Sequence, residues 1–264
     1  MPERGSVGDA ERALSCLDLT DLGDRATEED AVRLCAAAVA PRRVAAVCLW
    51  PRFVTTAKRS LAGSGVKVAT VANFPSGEER PGKVQDAIRK MLDDGADEID
   101  LVIPYRRLIA GRPRTVTALL RLARALIPAR RLLKVILETG EYPNTVLIRD
   151  AARRAIGEGA DFLKTSTGKT AHSATPEAAR LLLEAARAEG RRSVGVKISG
   201  GVRSLADATA YLAIADEIMG PAWVKPSHFR FGASSLRDAL LAALGAQAPD
   251  AGAMRQTGVR RHAY

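Results

Sequence analysis

The chain has 264 residues, 47% of them hydrophobic, enough for one sizeable core without a disulfide or metal staple. Its formal net charge is +10 but only 4% of its residues are aromatic, so base-stacking platforms along a basic stripe are hard to build. The charge reads mainly as an Arg-rich solvated surface, with a few cations reserved for a local anion; no nucleic-acid partner is expected.

Cys16, Cys35 and Cys48 are odd in number and lack CxxC spacing, so they read as reduced thiols. Apolar runs such as Val44–Trp50 are far shorter than a membrane span, and the first residues show no apolar leader segment. A cytoplasmic protein without a membrane partner is expected.

In chain order, residues 1–43 read as an N-terminal helical extension covering the bottom or side of the main domain. Short β-branched runs then alternate with amphipathic stretches. Strands are predicted at Val44–Leu49, Val66–Val71, Glu98–Ile103, Leu132–Leu137, Asp161–Thr165, Val194–Ile198 and His228–Gly232. A weaker run at Ala213–Met219 would be the remaining strand of eight. Helices are predicted at Gly82–Leu92, Val116–Leu126, Thr145–Ile156, Pro176–Ala188 and Leu205–Tyr211, and a last one opens after Ser235. Thr175 before Pro176, and Ser204 before Leu205, have the chemistry of N-caps.

Alternation of this kind implies parallel βαβ units, and strands apolar on both faces imply a sheet covered by helices. Strand centres fall roughly 22 to 34 residues apart, the interval of eight βα units in one closed barrel. The predicted fold is therefore a single (β/α)8 TIM barrel over residues 1–264, with a mobile tail at 247–264. An open doubly wound sheet is the rival, but no GxGxxG follows the first strand.

In such a barrel, chemistry sits at the C-terminal ends of strands. Three strands carry charges there: Asp100 within Glu98–Ile103, Lys164 after Phe162-Leu163, and Lys197 within Gly195–Ser199. Alternation puts Phe162, Lys164 and Ser166 on one face, and Gly195, Lys197 and Ser199 on one face of the following strand. Burial and a second cation would each favour a neutral lysine able to attack a carbonyl, with Asp100 placed to move protons. The same lysines could instead reach solvent at the strand ends with Asp100 as ion-pair partner, and pattern alone leaves both readings open. Lys134 is a further strand lysine without an assigned role. Glu138 and Glu141 flank Thr139-Gly140 at a strand end, either lining the barrel mouth or ordering its loop.

Three glycine-bearing segments follow consecutive late strands: Thr165-Ser166-Thr167-Gly168-Lys169, Gly200-Gly201-Val202-Arg203, and Phe231-Gly232-Ala233-Ser234-Ser235. Glycines let backbone N–H groups approach an anion, and barrels commonly bind phosphate after their seventh and eighth strands. His172, His228 and His262 lack metal-ligand spacing, and there is no GxSxG elbow, so neither a metal nor serine hydrolysis is expected.

The strings Ala96-Asp97-Glu98-Ile99-Asp100, Leu133-Lys134-Val135-Ile136-Leu137-Glu138-Thr139-Gly140, Ala160-Asp161-Phe162-Leu163-Lys164-Thr165-Ser166-Thr167-Gly168-Lys169 and Phe231-Gly232-Ala233-Ser234-Ser235 resemble the deoxyribose-phosphate aldolase family. Leu17-Asp18-Leu19-Thr20 and Asn73-Phe74-Pro75 add to a similarity running from about Leu14 to about Gly245. The resemblance implies a cofactor-free class I aldolase that cleaves 2-deoxyribose 5-phosphate to glyceraldehyde 3-phosphate and acetaldehyde, in deoxyribose phosphate catabolism. Its partners would be small phosphorylated sugars and aldehydes, with a homodimer as a candidate assembly.

By the same resemblance Lys164 is the Schiff-base lysine, Lys197 the lysine that perturbs it, and Asp100 the proton-transfer acid. Thr167, Gly168, Lys169, Gly200, Gly201, Val202, Arg203, Gly232, Ser234 and Ser235 match the phosphate pocket, and Asp18 and Thr20 match residues near the substrate hydroxyls. Ile198-Ser199 stand where the family usually has Pro-Ala, a departure expected to alter the loop's path. Tyr264 matches a terminal tyrosine that assists proton transfer. Two other readings predict different behaviour: a Schiff-base aldolase or transaldolase with another acceptor, and a non-catalytic nucleic-acid binder with steeply salt-dependent affinity.

Overall fold

The structure is a computed structural model and describes residues 6–190 and 193–245. Eight parallel strands close into a barrel in sequential order. The first half runs α1 (Val7–Ser15), β1 (Leu17–Asp21), α2 (Glu28–Val39), β2 (Ala46–Leu49), α3 (Val54–Ser60), β3 (Lys67–Ala72), α4 (Pro81–Asp93) and β4 (Glu98–Val102). The second half runs α5 (Tyr105–Ile109), α6 (Pro113–Leu126), β5 (Leu132–Ile136), α7 (Thr145–Gly157), β6 (Phe162–Lys164), α8 (Pro176–Glu189), β7 (Gly195–Ser199), α9 (Leu205–Met219), β8 (Phe229–Ala233) and α10 (Leu236–Ala243). β1 pairs with both β2 and β8, which closes the ring.

The ring closes through a strand that the sequence pattern hides. Residues 1–43 are not simply a helical extension: Leu17–Asp21 forms β1, and α2 follows it as that strand's own helix. Among the described residues only α1 precedes the barrel, and it packs against α9 and α10. Conversely, Ala213–Met219 is the second half of α9, not a strand. A capping box starts α9: the Ser204 hydroxyl accepts from Asp207 N–H, and the Asp207 carboxylate accepts from Ser204 N–H. Once nucleated there, the helix runs 15 residues, and its second half is apolar enough to imitate a buried strand. The expected mobile tail at 247–264, with Tyr264, lies outside the described residues.

Local chemistry sets the other helix starts. Thr175 accepts from Ala178 N–H ahead of Pro176, as expected, and Asn144 and Thr27 cap α7 and α2 in the same way. On the strands, alternation divides the side chains. Leu17, Val47, Ile99, Leu133, Leu163, Val196 and Phe231 point to the helices and belong to one continuous hydrophobic core. Their neighbours point inward, and there the barrel is filled with charge: Asp18, Glu98, Asp100, Lys134, Lys164, Lys197 and Arg230 are all buried. On the β2–β3 side the interior becomes apolar, where Leu22, Cys48, Ala69 and Val71 pack with Trp50 and Phe74. All three cysteines are free and buried.

Candidate active site

Strand register brings the central charges together. Lys164 on β6 stands opposite Lys197 on β7, Lys197 opposite Arg230 on β8, and Asp100 on β4 opposite Lys134 on β5. Nζ of Lys164 and Nζ of Lys197 both donate to Oδ2 of Asp100 at 2.9 Å, while Lys134 donates to its Oδ1 at 2.9 Å. Lys197 also donates to Oδ2 of Asp18 at 2.5 Å. Below them Arg230 bridges Asp18 Oδ1 at 2.5 Å and Glu98 Oε1 at 2.9 Å, and Lys134 reaches Glu98 Oε2 at 2.5 Å. Lys164, Lys197 and Asp100 thus converge, the two lysines on one carboxylate oxygen.

The partner sets differ, and so do the protonation equilibria. Burial pushes every one of these lysines toward the neutral form. For Lys197, Asp100 and Asp18 outweigh that effect and hold the ammonium well above its ordinary value. For Lys134, the carboxylates of Asp100, Glu98 and Asp18 do the same. Lys164 has Asp100 alone, already shared with two other cations. Burial, with the Lys197 charge adding to it, prevails over Asp100 and lowers the Lys164 pKa. Asp100 and Asp18 are themselves raised by burial but carried below the usual carboxylate range by the surrounding cations. A neutral Lys164 leaves three carboxylates facing Lys134, Lys197 and Arg230, a balanced interior. Of the three lysines only Lys164 keeps any exposed surface, 2% against 0% for the others.

Above this cluster lies a cavity of about 410 Å³. Thr167, Gly168 and Lys169 line it from the loop after β6, and Gly200, Gly201, Val202 and Arg203 from the loop after β7. Gly232, Ser234 and Ser235 line it from the end of β8, and Thr20 from β1. The glycines matter where the backbone turns or a neighbour passes. Gly200 and Gly201 both have positive φ, near 88° and 84°, which L side chains rarely adopt. A Cβ on Gly232 would lie 2.8 Å from Cε of Lys197, so that lysine runs directly beneath the cavity floor. Lys169 spans the cavity edge to Asp24 at 3.0 Å.

Asp18 does not line the cavity; it is fully buried beneath it, with both carboxylate oxygens taken by Lys197 and Arg230. At Ile198-Ser199, β7 continues through Ser199, whose N–H donates to the Thr165 hydroxyl at 2.9 Å and which lines the cavity. Tyr264 lies outside the described residues. Sequence reasoning assigned no role to Lys134, Glu98 or Arg230, although each sits at an inward position of a predicted strand. It also left open Glu138, whose buried carboxylate accepts from Thr167 N–H.

Comparison with known proteins bears on the fold and the family. Residues 12–242 match the DeoC/LacD family aldolase model. The fold is similar to that of a Toxoplasma gondii ME49 protein provisionally assigned as a deoxyribose-phosphate aldolase, with TM-score 0.83 and 29% identity over 90% of this chain and 96% of that one. It is also similar to the deoxyribose phosphate aldolase of Aeropyrum pernix, described as a tetramer, with TM-score 0.70 and 27% identity over 88% and 90% of the two chains. With a match spanning nearly the whole described barrel, this chain belongs to the DeoC/LacD family of aldolases.

Proposed function

We propose that this aldolase cleaves 2-deoxyribose 5-phosphate reversibly to glyceraldehyde 3-phosphate and acetaldehyde through a Schiff base on Lys164. The observation that carries the reading is the asymmetry among the buried lysines: of Lys134, Lys164 and Lys197, Lys164 alone combines a lowered pKa with any exposed surface. A neutral amine is the form that attacks a carbonyl.

In the cleavage direction, Nζ of Lys164 adds to the C1 aldehyde of the open-chain sugar, and loss of water gives an iminium. A base takes the C3 hydroxyl proton, the C2–C3 bond breaks, and its electron pair enters the C1–C2 bond as an enamine. C3 becomes the aldehyde carbon of glyceraldehyde 3-phosphate. Protonation of the enamine at C2 and hydrolysis then release acetaldehyde and return the amine. Asp100, ionised and in contact with Lys164, is the group placed to pass these protons, directly or through water. Lys197, held charged by Asp100 and Asp18, adds to burial in favouring the neutral form of Lys164.

The loops after β6, β7 and β8 suit the phosphate, with glycines that let an anion approach the backbone and cations from Lys169 and Arg203 around the cavity. Thr20, which lines the cavity, would meet the sugar hydroxyls. Ser166, two residues beyond Lys164, has a buried hydroxyl with no partner among the described residues and is free to serve a bound intermediate.

The test is reduction with borohydride in the presence of 2-deoxyribose 5-phosphate, read by intact and peptide mass spectrometry. A reduced adduct on Lys164 that disappears in Lys164→Leu is the expected result. Folded protein giving no adduct, or one on another lysine, overturns the assignment.

A further inference from the structure

Glu138 lies just past the end of β5, outside the lysine cluster, and is completely buried. Its backbone sits in the left-handed region at φ 57° and ψ 57°, a conformation normally left to glycine. Non-glycine residues held this way concentrate at functional sites, where the surroundings enforce them. What a glycine could not supply here is the carboxylate. Its two oxygens accept the Thr167 N–H at 3.1 and 3.3 Å, and one lies 3.5 Å from the Thr170 hydroxyl.

This contact fixes which way the loop after β6 faces. Thr167 N–H is turned away from the cavity toward Glu138, and the Thr167 hydroxyl accepts the Lys169 N–H at 3.0 Å. Gly168 between them turns at φ 76°. Thr167, Gly168 and Lys169 therefore line the cavity as a loop pinned from behind. A carboxylate repels an anion, so Glu138 does not suit a phosphate ligand; it suits an anchor on the protein side of the loop. Without it, Thr167 N–H would be a buried donor lacking its acceptor, and the loop would have to turn to satisfy it.

We propose that Glu138 is the positioning residue of the phosphate pocket, anchoring Thr167-Gly168-Lys169 so that the loop presents its anion-binding face to a phosphate monoester. The proposal rests on the reading of these loops as a phosphate site, and it is independent of which lysine forms the imine.

The probe is inorganic phosphate, titrated calorimetrically into wild type, Glu138→Leu and Glu138→Gln, with melting curves to establish that each is folded. Leucine keeps much of the bulk without an acceptor, whereas glutamine restores one oxygen to Thr167 N–H. Loss of a charge-assisted hydrogen bond should raise the phosphate Kd about tenfold or more in Glu138→Leu, with most of the affinity recovered in Glu138→Gln. In turnover, KM for 2-deoxyribose 5-phosphate should rise in Glu138→Leu while kcat holds within about threefold, the pattern of lost uniform binding.

Unphosphorylated 2-deoxyribose should be handled like wild type. Folded Glu138→Leu that binds phosphate normally, or loses kcat equally on both sugars, overturns the proposal. Failure of wild type to bind phosphate overturns the pocket reading together with it, while borohydride trapping on Lys164 still reports separately on the aldolase mechanism.

Discussion

Three lysines meet one carboxylate inside this barrel, and the rest of their partners decide which of them gives up its proton. Lys134 and Lys197 each reach a second acid, whereas Lys164 does not. The charge of Lys197 is one of the forces that lower the Lys164 pKa, so Lys197→Met should raise it. Removing Lys197 also leaves Asp100 with one fewer cation, which pulls Lys164 the same way. Because turnover needs the neutral amine, activity climbs with pH as Lys164 deprotonates, and that rising limb should move to higher pH in Lys197→Met. Each unit of displacement removes about tenfold of the activity at a pH below the limb. A kcat/KM profile across the neutral and alkaline range checks this; a limb left in its wild-type position would mean that Lys197 does not set the nucleophile. Lys164, Lys197 and Asp100 were legible because a charge inside an apolar run is conspicuous. Lys134 stood out equally, but its role depends on lying opposite Asp100, and register between strands far apart in the chain cannot be read from one sequence. Asp18 shows the same limit, since only the structure places it beneath Lys197 and away from the cavity.

At the scale of elements, signals confined to a few residues were readable and those distributed around the ring were not. Thr175 and Ser204 cap their helices as their local sequence indicates. β1 was hidden because Leu17–Asp21 is short and holds only two apolar residues, with Asp18, Thr20 and Asp21 making up the rest. Asp18 is nevertheless fully buried, its charge met by cations from β7 and β8. Those two strands also test how closely elements must approach. Ser199 on β7 pairs with Gly232 on β8, and a methyl at Gly232 would lie 2.8 Å from both Cε of Lys197 and the Ser199 hydroxyl. Lys197 cannot retreat without leaving Asp18 or Asp100. Gly232→Ala should therefore lower kcat at least about tenfold through displacement of Lys197, while destabilising by about 1–3 kcal/mol as overpacking does. Steady-state kinetics with a urea titration separate the two effects; unchanged kcat would show that the lysine has room to move.

For the whole molecule, the interior departs from the usual filling of such barrels, where layers of branched aliphatic side chains predominate. Here an ion network from β1, β4, β5, β6, β7 and β8 occupies the axis, and its benefit depends on balance, because an unpaired buried charge is severely penalised. Lys134 is its hub, completely buried and touching Glu98, Asp100 and Asp18. Lys134→Met keeps the bulk and removes the charge, leaving three carboxylates facing Lys197 and Arg230. Two responses are open to the protein. It can carry the excess negative charge, with a loss of about 3–5 kcal/mol, the range for breaking a buried pair. Alternatively Lys164 can take up a proton as the missing third cation, which spares stability but removes the nucleophile. The second response predicts a less active enzyme at neutral pH, and the lower the stability loss, the more completely Lys164 should be charged. Adding Glu98→Gln to Lys134→Met restores equal numbers of acids and cations. The double variant should be more stable than Lys134→Met alone, so that urea unfolding of both singles and the double gives a favourable coupling energy. Additive losses would mean that the charges act as separate pairs and that the barrel does not depend on their sum.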